Sequence, residues 1–433
     1  MRKNKIDIIS LGCSKNLVDS EHLIRQFQAN GYSVEHNPSR VDGEIVVVNT
    51  CGFIRDAQEE SIDMILELGR AKKEGKIKKL FVMGCLAERF MAQLIDELPE
   101  VDKFYGKFNW KEMLNDLGKS YKEDLSSERY LTTPKHYAYL KISEGCNRFC
   151  AFCAIPLITG RHKSVPMDTL LNEVKYLVSQ GVKEFNVIAQ DLSSYGLDLY
   201  GKMMLPELID QMAQIEGVEW IRLHYAYPTQ FPYDILPVMA KHDNVCKYLD
   251  IALQHSSDKV LNNMQRHITK AETIELIKRI RKEVPGIHIR TTLMVGFPGE
   301  GEEEFNDLVD FVEEMRFERM GAFAYSEEEG TFAAKHFDDI IPEDVKADRL
   351  DKIMEIQEEI SNEIQSKKVG NVYKVIIDSV DKMYYSGRTE WDSPEVDPEV
   401  LIPVENSKLE IGNFYQVEIT DATPFELFGK VVG

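Results

Sequence analysis

No run of about 18 or more apolar residues occurs in the 433-residue chain, so the sequence offers no membrane-spanning helix. Internal repeats and low-complexity tracts are missing too, with only 26 Gly and 16 Pro, which excludes solenoid, collagen-like and disordered architectures. Positive charge is scarce: 52 Lys and Arg face 73 Asp and Glu, a net charge of −21. A chain so acidic does not track phosphate backbones with its whole surface. An even, secreted-type set of cysteines is absent. The seven that occur are odd in number and follow no targeting segment, so they are read as reduced thiols or metal ligands. The basic start, Met1 to Lys5, precedes an apolar stretch that is interrupted by Asp7 and too short for a signal peptide, and the chain is read as cytoplasmic.

What is present is ordinary globular composition, 43% hydrophobic and 29% charged, at a length that predicts roughly three domains. Residues 1–120 alternate apolar runs (6–11, 44–49, 79–83) with helical patterns (17–31, 56–74 and from 88), predicting an α/β, doubly wound N-terminal domain. The polar stretch 118–133 breaks the pattern, and 121–135 is taken as a linker. Over 136–366 the alternation resumes, with strands expected at 137–143, 184–190, 220–227, 248–254, 288–296 and 320–325. Six β/α units fall short of the eight of a full barrel, so an open six-stranded (β/α) partial TIM barrel is expected. Residues 342–368 read as a charged connector helix. Short strands at 372–377, 383–388, 400–404, 414–419 and 427–432 then predict a C-terminal all-β, OB-like barrel over 367–433.

Cys146, Cys150 and Cys153 form a Cys-x3-Cys-x2-Cys loop directly after the first barrel strand. Three thiolates can hold three irons of a cubane cluster and leave the fourth iron open to another ligand. Structural zinc would need a fourth Cys or His nearby, for which His162 is a candidate. Across 136–340 the chain resembles the radical S-adenosylmethionine superfamily, whose cluster loop has this spacing. The resemblance implies that S-adenosylmethionine chelates the open iron, that Phe152 packs near its adenine, and that cluster reduction cleaves it to methionine and a 5'-deoxyadenosyl radical. Barrel strand ends build such sites, so Gln190, Gln254, Arg290 and Gly296 are candidate cofactor contacts, each equally compatible with a core or strand-cap role. No catalytic acid, base or nucleophile is assigned.

Cys13, Cys51 and Cys85 stand at the ends of the three N-terminal strands, each beside a glycine. Singly each reads as a small buried hydrophobe. In a doubly wound sheet those ends share the ligand-binding edge, so jointly they predict a second cluster. Cys246 is read as structural. Two three-cysteine sets, a doubly wound domain, a radical barrel and a small C-terminal barrel together resemble the methylthiotransferase family over essentially the whole chain. That resemblance implies two 4Fe-4S clusters, two molecules of S-adenosylmethionine, an external electron donor, a sulfur source, and replacement of an unactivated C–H by a methylthio group.

The family divides into enzymes acting on transfer RNA adenosine and a branch acting on an aspartate of small-subunit ribosomal protein 12. The C-terminal barrel resembles the TRAM module, and its residues 369–433 carry five basic against twelve acidic residues, a net −7, which argues against RNA binding there. Residues 388–399 set five carboxylates around Trp391 and resemble the ribosomal-protein branch, an acidic face that would steer a basic substrate. His224, Tyr225 and Tyr227, near one strand end, are candidate substrate contacts. The expectation is therefore a monomeric enzyme that methylthiolates the β-carbon of an aspartate in ribosomal protein 12. Transfer RNA methylthiolation and a non-enzymatic iron-sulfur carrier are the alternatives.

Overall fold

The computed structural model describes residues 2–406 and 408–432. The chain divides into two compact units: Met1–Thr133, Tyr139–Asn147 and Cys153–Leu177 form one, and Pro134–Ala138, Arg148–Phe152 and Val178–Gly433 the other. Among the described residues no helix is long and apolar enough to cross a membrane.

The first unit opens with β1 (Arg2–Ser10), α1 (Ser14–Ala29), β2 (Ser33–His36), β3 (Gly43–Thr50), α2 (Arg55–Lys73), β4 (Lys79–Gly84), α3 (Cys85–Glu97), β5 (Lys103–Phe104) and α4 (Trp110–Asp116). The strands pair in the order β2-β1-β3-β4-β5, all parallel. The near-continuous Val/Ile runs of β1 and β3 suit strands covered on both faces. Ile9, Val46, Val48 and Val82 pack under α2 and α3 residues such as Ile65 and Leu94, while Ile6, Ile8, Val47 and Phe81 pack with Leu23 and Phe27 of α1. The third helix begins at Cys85 rather than near 88. Gly84, at φ +100°, turns the chain from strand directly into helix, and a Cβ there would stand 2.6 Å from the Thr50 carbonyl oxygen.

The stretch expected as a linker is fastened to α1. The Gln26 amide accepts from the Lys122 N–H at 2.8 Å and donates to its carbonyl at 3.0 Å, and the Thr132 N–H donates to Glu21 at 2.7 Å. Arg129, fully buried, pairs with Glu21 at 3.2 Å and Glu173 at 3.1 Å. Its polar residues are the fasteners, which is why composition alone resembles a free segment.

The chain continues through β6 (Tyr137–Lys141), β7 (Ser143–Glu144), α5 (Ile155–Thr159), β8 (Lys163–Ser164) and α6 (Met167–Ser179). Next come β9 (Glu184–Ile188), α7 (Leu197–Tyr200), α8 (Leu205–Ala213), β10 (Trp220–Ala226), α9 (Ile235–Lys241) and β11 (Val245–Ile251). The series ends with α10 (Asp258–Asn263), α11 (Lys270–Glu283), β12 (His288–Val295), α12 (Glu302–Met315), β13 (Arg319–Ala324), α13 (Phe332–His336) and α14 (Glu343–Ser366). Strands β6 and β9–β13 lie in sequence order in one open six-stranded sheet, as a partial barrel requires. Helix α14 is not a mere connector. Ile353, Ile356 and Ile360, at i, i+3 and i+7, are buried on one stripe, and the helix packs on β13 and α12 as the last covering helix of the sheet.

Five strands close the C-terminal barrel: β14 (Val372–Val380), β15 (Tyr384–Arg388), β16 (Glu399–Pro403), β17 (Phe414–Ala422) and β18 (Glu426–Val431), ordered β14-β15-β16-β18-β17. Alternating residues Val375, Ile377, Val400, Ile402, Val417, Ile419 and Leu427 fill it.

The acidic segment between β15 and β16 overturns one expectation. Asp392 is fully buried on Arg319 at 2.5 Å, and Asp397 accepts from the Tyr248 hydroxyl at 3.0 Å with Arg290 at 3.4 Å. Glu390 accepts from the Lys247 N–H at 3.0 Å, and Trp391 stacks on His288 at 4.6 Å. Glu395, though exposed, accepts from the Tyr137 hydroxyl at 3.2 Å, so four of the five carboxylates read as an exposed steering face serve cations and donors of the partial barrel. Their partners lie 73 to 258 positions away, beyond the reach of local pattern. Arg388 extends the same buried network to Glu184 and Asp378, each at 2.6 Å.

Candidate functional site

Because β1, β3 and β4 are adjacent and parallel, Cys13, Cys51 and Cys85 leave the sheet along one edge. Glycines let these exits close on one another. A Cβ on Gly12 would stand 2.7 Å from Cys51 Cβ and 3.0 Å from its sulfur, and one on Gly52 would stand 2.8 Å from the Cys85 carbonyl carbon. Cys13 caps α1 and Cys85 opens α3, so both sit at the positive ends of helices.

The electrostatics suit a polynuclear cation. Desolvation opposes ionisation of Cys13, but Lys15, Lys107 and nearby backbone amides hold its thiol below the ordinary value. Burial pushes Cys51 up, and Cys85 up to about 12. Burial thus favours the neutral thiol at Cys51 and Cys85, in contrast to Cys13.

Sequence reasoning missed the side chains behind this triad. The Cys85 sulfur donates to Asn16 Oδ1 at 3.4 Å, and the same oxygen accepts from Lys107 Nζ at 3.3 Å. Lys107, 3% exposed, also meets Asp19 at 3.1 Å and Glu144 at 3.6 Å. A lone lysine carries no motif; only burial singles it out.

The Cys146–Cys153 loop is anchored at both ends. In the first unit the Cys146 N–H donates to the Gly160 carbonyl at 3.2 Å, and the His162 N–H donates to Asn147 at 3.2 Å. His162 Nε2 sits 3.1 Å from Ser164 Oγ. Within this unit Cys85 shares an apolar cluster with Ala154 and Ile158, on the segment that leaves Cys153. In the second unit Ala151 donates to the Met264 carbonyl at 2.9 Å and accepts from Ala333 at 2.7 Å. Phe152 meets Phe297 edge-on at 6.3 Å.

The remaining sequence candidates are distributed as follows. Gln190 follows β9 and is half-buried. Gln254 extends β11 at φ +73°, a strained conformation for a side-chain-bearing residue, and exchanges backbone bonds with Thr292 and Met294 at 2.9 and 2.7 Å. Arg290 stands early in β12 rather than at its end, with Asp397 at 3.4 Å and Asp250 at 3.8 Å. Gly296 has φ +74°, its Cβ side is filled by the Lys346 stem and its N–H donates to Glu300 at 2.9 Å. Of the proposed substrate contacts, His224 is buried on Asn186 at 3.2 Å and Tyr227 is turned to Cys150 at 3.5 Å; Tyr225, at φ +63°, remains exposed. Cys246 is fully buried with Trp220 and Tyr248, as a structural cysteine should be.

Three family models match in succession: "Uncharacterized protein family UPF0004" over residues 5–106, the Radical SAM superfamily over 140–312 and the TRAM domain over 369–432. The ribosomal protein uS12 methylthiotransferase RimO of Parabacteroides distasonis is 64% identical over 432 residues, covering 100% of both chains. The protein of the same name from Flavobacterium johnsoniae is 51% identical, covering 99% of this chain and 98% of its own. Among solved structures, the radical S-adenosylmethionine methyltransferase TsrM of Kitasatospora setae aligns with a TM-score of 0.57 at 13% identity, covering 77% of each chain, a likeness of fold. By full-length identity to these relatives, the chain belongs to the ribosomal protein uS12 methylthiotransferase RimO family.

Proposed function

We propose that this chain is a radical S-adenosylmethionine methyltransferring enzyme of sulfur, a methylthiotransferase that converts an aspartate of ribosomal protein uS12 to 3-methylthioaspartate. The observation that carries the reading is the packing of Cys85, within the first unit, against Ala154 and Ile158 on the segment leaving Cys153. In this reading Cys146, Cys150 and Cys153 hold the 4Fe-4S cluster that binds S-adenosylmethionine, and Cys13, Cys51 and Cys85 hold a second, auxiliary cluster. When bound, these groups supply the electron, the hydrogen-abstracting radical, and the sulfur and methyl to be transferred. The chain holds and orients them. Phe152, Gln190 and Gln254 line the strand-end side of the barrel where S-adenosylmethionine is to be gripped, while Arg290 and Gly296, engaged by Asp397, Asp250, Glu300 and Lys346, shape that side from behind. We also infer a cytoplasmic monomer, supplied by an external electron donor and sulfur source, with no RNA-binding role for the C-terminal barrel.

Iron and sulfide analysis of the anaerobically reconstituted protein tests the cofactor reading. About eight irons in the wild type and about four in each triple Cys→Ala variant are expected; about four in the wild type, with none lost from the Cys13/Cys51/Cys85 variant, refutes a second cluster. Incubation with uS12, S-adenosylmethionine, reductant and sulfide should add about 46 Da to one aspartate, and no gain with both clusters intact refutes the activity.

A further inference from the structure

Cys150 is held by two side chains, Arg266 and Tyr227. Arg266, 2% exposed and just beyond α10, directs Nη1 to the Cys150 sulfur at 3.3 Å and Nη2 to the Ala252 carbonyl. Tyr227, just past β10 and 7% exposed, sets its hydroxyl 3.5 Å from the same sulfur. The Tyr227 ring is fixed by two guanidinium groups, Arg148 at 4.3 Å and Arg266 at 4.1 Å from its centroid. Arg148 is itself braced by Asp191 at 2.7 Å and Ser194 at 3.3 Å. All of these groups lie in the second unit.

A cluster sulfur that accepts hydrogen bonds passes part of its negative charge to the donors. The reduced state carries one more negative charge than the oxidised state and gains more from them, so its potential becomes less negative. Burial enlarges the effect, since a guanidinium shielded from water acts through a low dielectric. We propose that Arg266 and Tyr227 are positioning residues that hold the Cys150 sulfur by hydrogen bonds and raise the potential at which the S-adenosylmethionine-binding cluster takes up its electron. This rests on the reading of Cys150 as a cluster ligand. In the step concerned, a one-electron donor loses one electron to the cluster, and no covalent bond or proton is exchanged.

The test is a redox titration of the reconstituted full-length protein, followed by electron paramagnetic resonance, scoring only the signal that S-adenosylmethionine perturbs. Tyr227→Phe keeps the ring and its arginine stack while deleting one donor; Arg266→Met deletes the other. A midpoint shifted to more negative potential in Tyr227→Phe at unchanged iron content, and further in the double variant, is expected. An unshifted midpoint in Tyr227→Phe at full iron content overturns the proposal, and that variant decides alone if Arg266→Met fails to hold iron. A wild type with no S-adenosylmethionine-responsive signal overturns the underlying reading as well, and is recognised before any variant is compared.

Discussion

Replacing Asp392 by Asn leaves the shape of the segment between β15 and β16 almost unchanged and removes one buried charge. Asp392 accepts from Arg319 Nη2 at 2.5 Å and from the Thr389 hydroxyl at 2.5 Å and amide at 3.3 Å, while Arg319 is itself 5% exposed. Removing one member of a buried pair strands the other, at a cost of about 3–5 kcal/mol. For a unit of this size that corresponds to a fall of roughly 5–10 °C in Tm. Burial opposes ionisation of Asp392, but Arg319 and Lys368 outweigh it and hold the carboxyl well below its ordinary range. Because the folded value is depressed, the stabilisation is complete above the unfolded value of 3.8 and is lost as pH falls through the folded one. The gap between wild type and Asp392→Asn should therefore be constant near neutrality and narrow in acid. Urea unfolding from neutral pH downward measures it. The double variant Arg319→Met with Asp392→Leu should recover most of the loss, since an apolar pair leaves no stranded charge. A cost for Asp392→Asn below about 1 kcal/mol, the range of an exposed pair, would refute the buried role and restore the free steering face.

Three further expectations concern single positions. Gly296→Ala meets both a positive φ of +74° and the Lys346 Cγ, 2.5 Å from the new Cβ, and should cost about 1–3 kcal/mol in urea unfolding; a neutral outcome contradicts the packing described. Lys368 is 4% exposed, and burial, with Arg319 nearby, pushes its pKa down to about 8. Since the unfolded chain binds that proton up to 10.5, stability should rise with pH between 8 and 10.5; Lys368→Met should remove that slope and stabilise the protein at pH 7 by up to about 3 kcal/mol. Cys246→Ala should lower stability by about 1–2 kcal/mol through a small cavity yet leave iron content unchanged, and loss of iron would make Cys246 a ligand.

Much of the architecture was legible because it is local. Strand and helix patterns carry their own periods, so the doubly wound domain, the six parallel strands in sequence order and the small closed barrel follow from runs such as those of β3 and β12. The Cys146–Cys153 loop is legible for the same reason: all three cysteines lie within eight residues. The N-terminal triad needed one inference more, that ends of adjacent parallel strands share an edge, and Gly12, Gly52 and Gly84 bear it out at contact distance. Tertiary structure alone decided where charge goes. That Asp392 neutralises Arg319, Arg290 meets Asp397 and Tyr227 meets Cys150 depends on pairings 73, 107 and 77 residues apart. A charged or polar side chain in sequence declares its chemistry but not its neighbour. In a low-dielectric interior the neighbour determines whether that chemistry is spent on folding or left free to act.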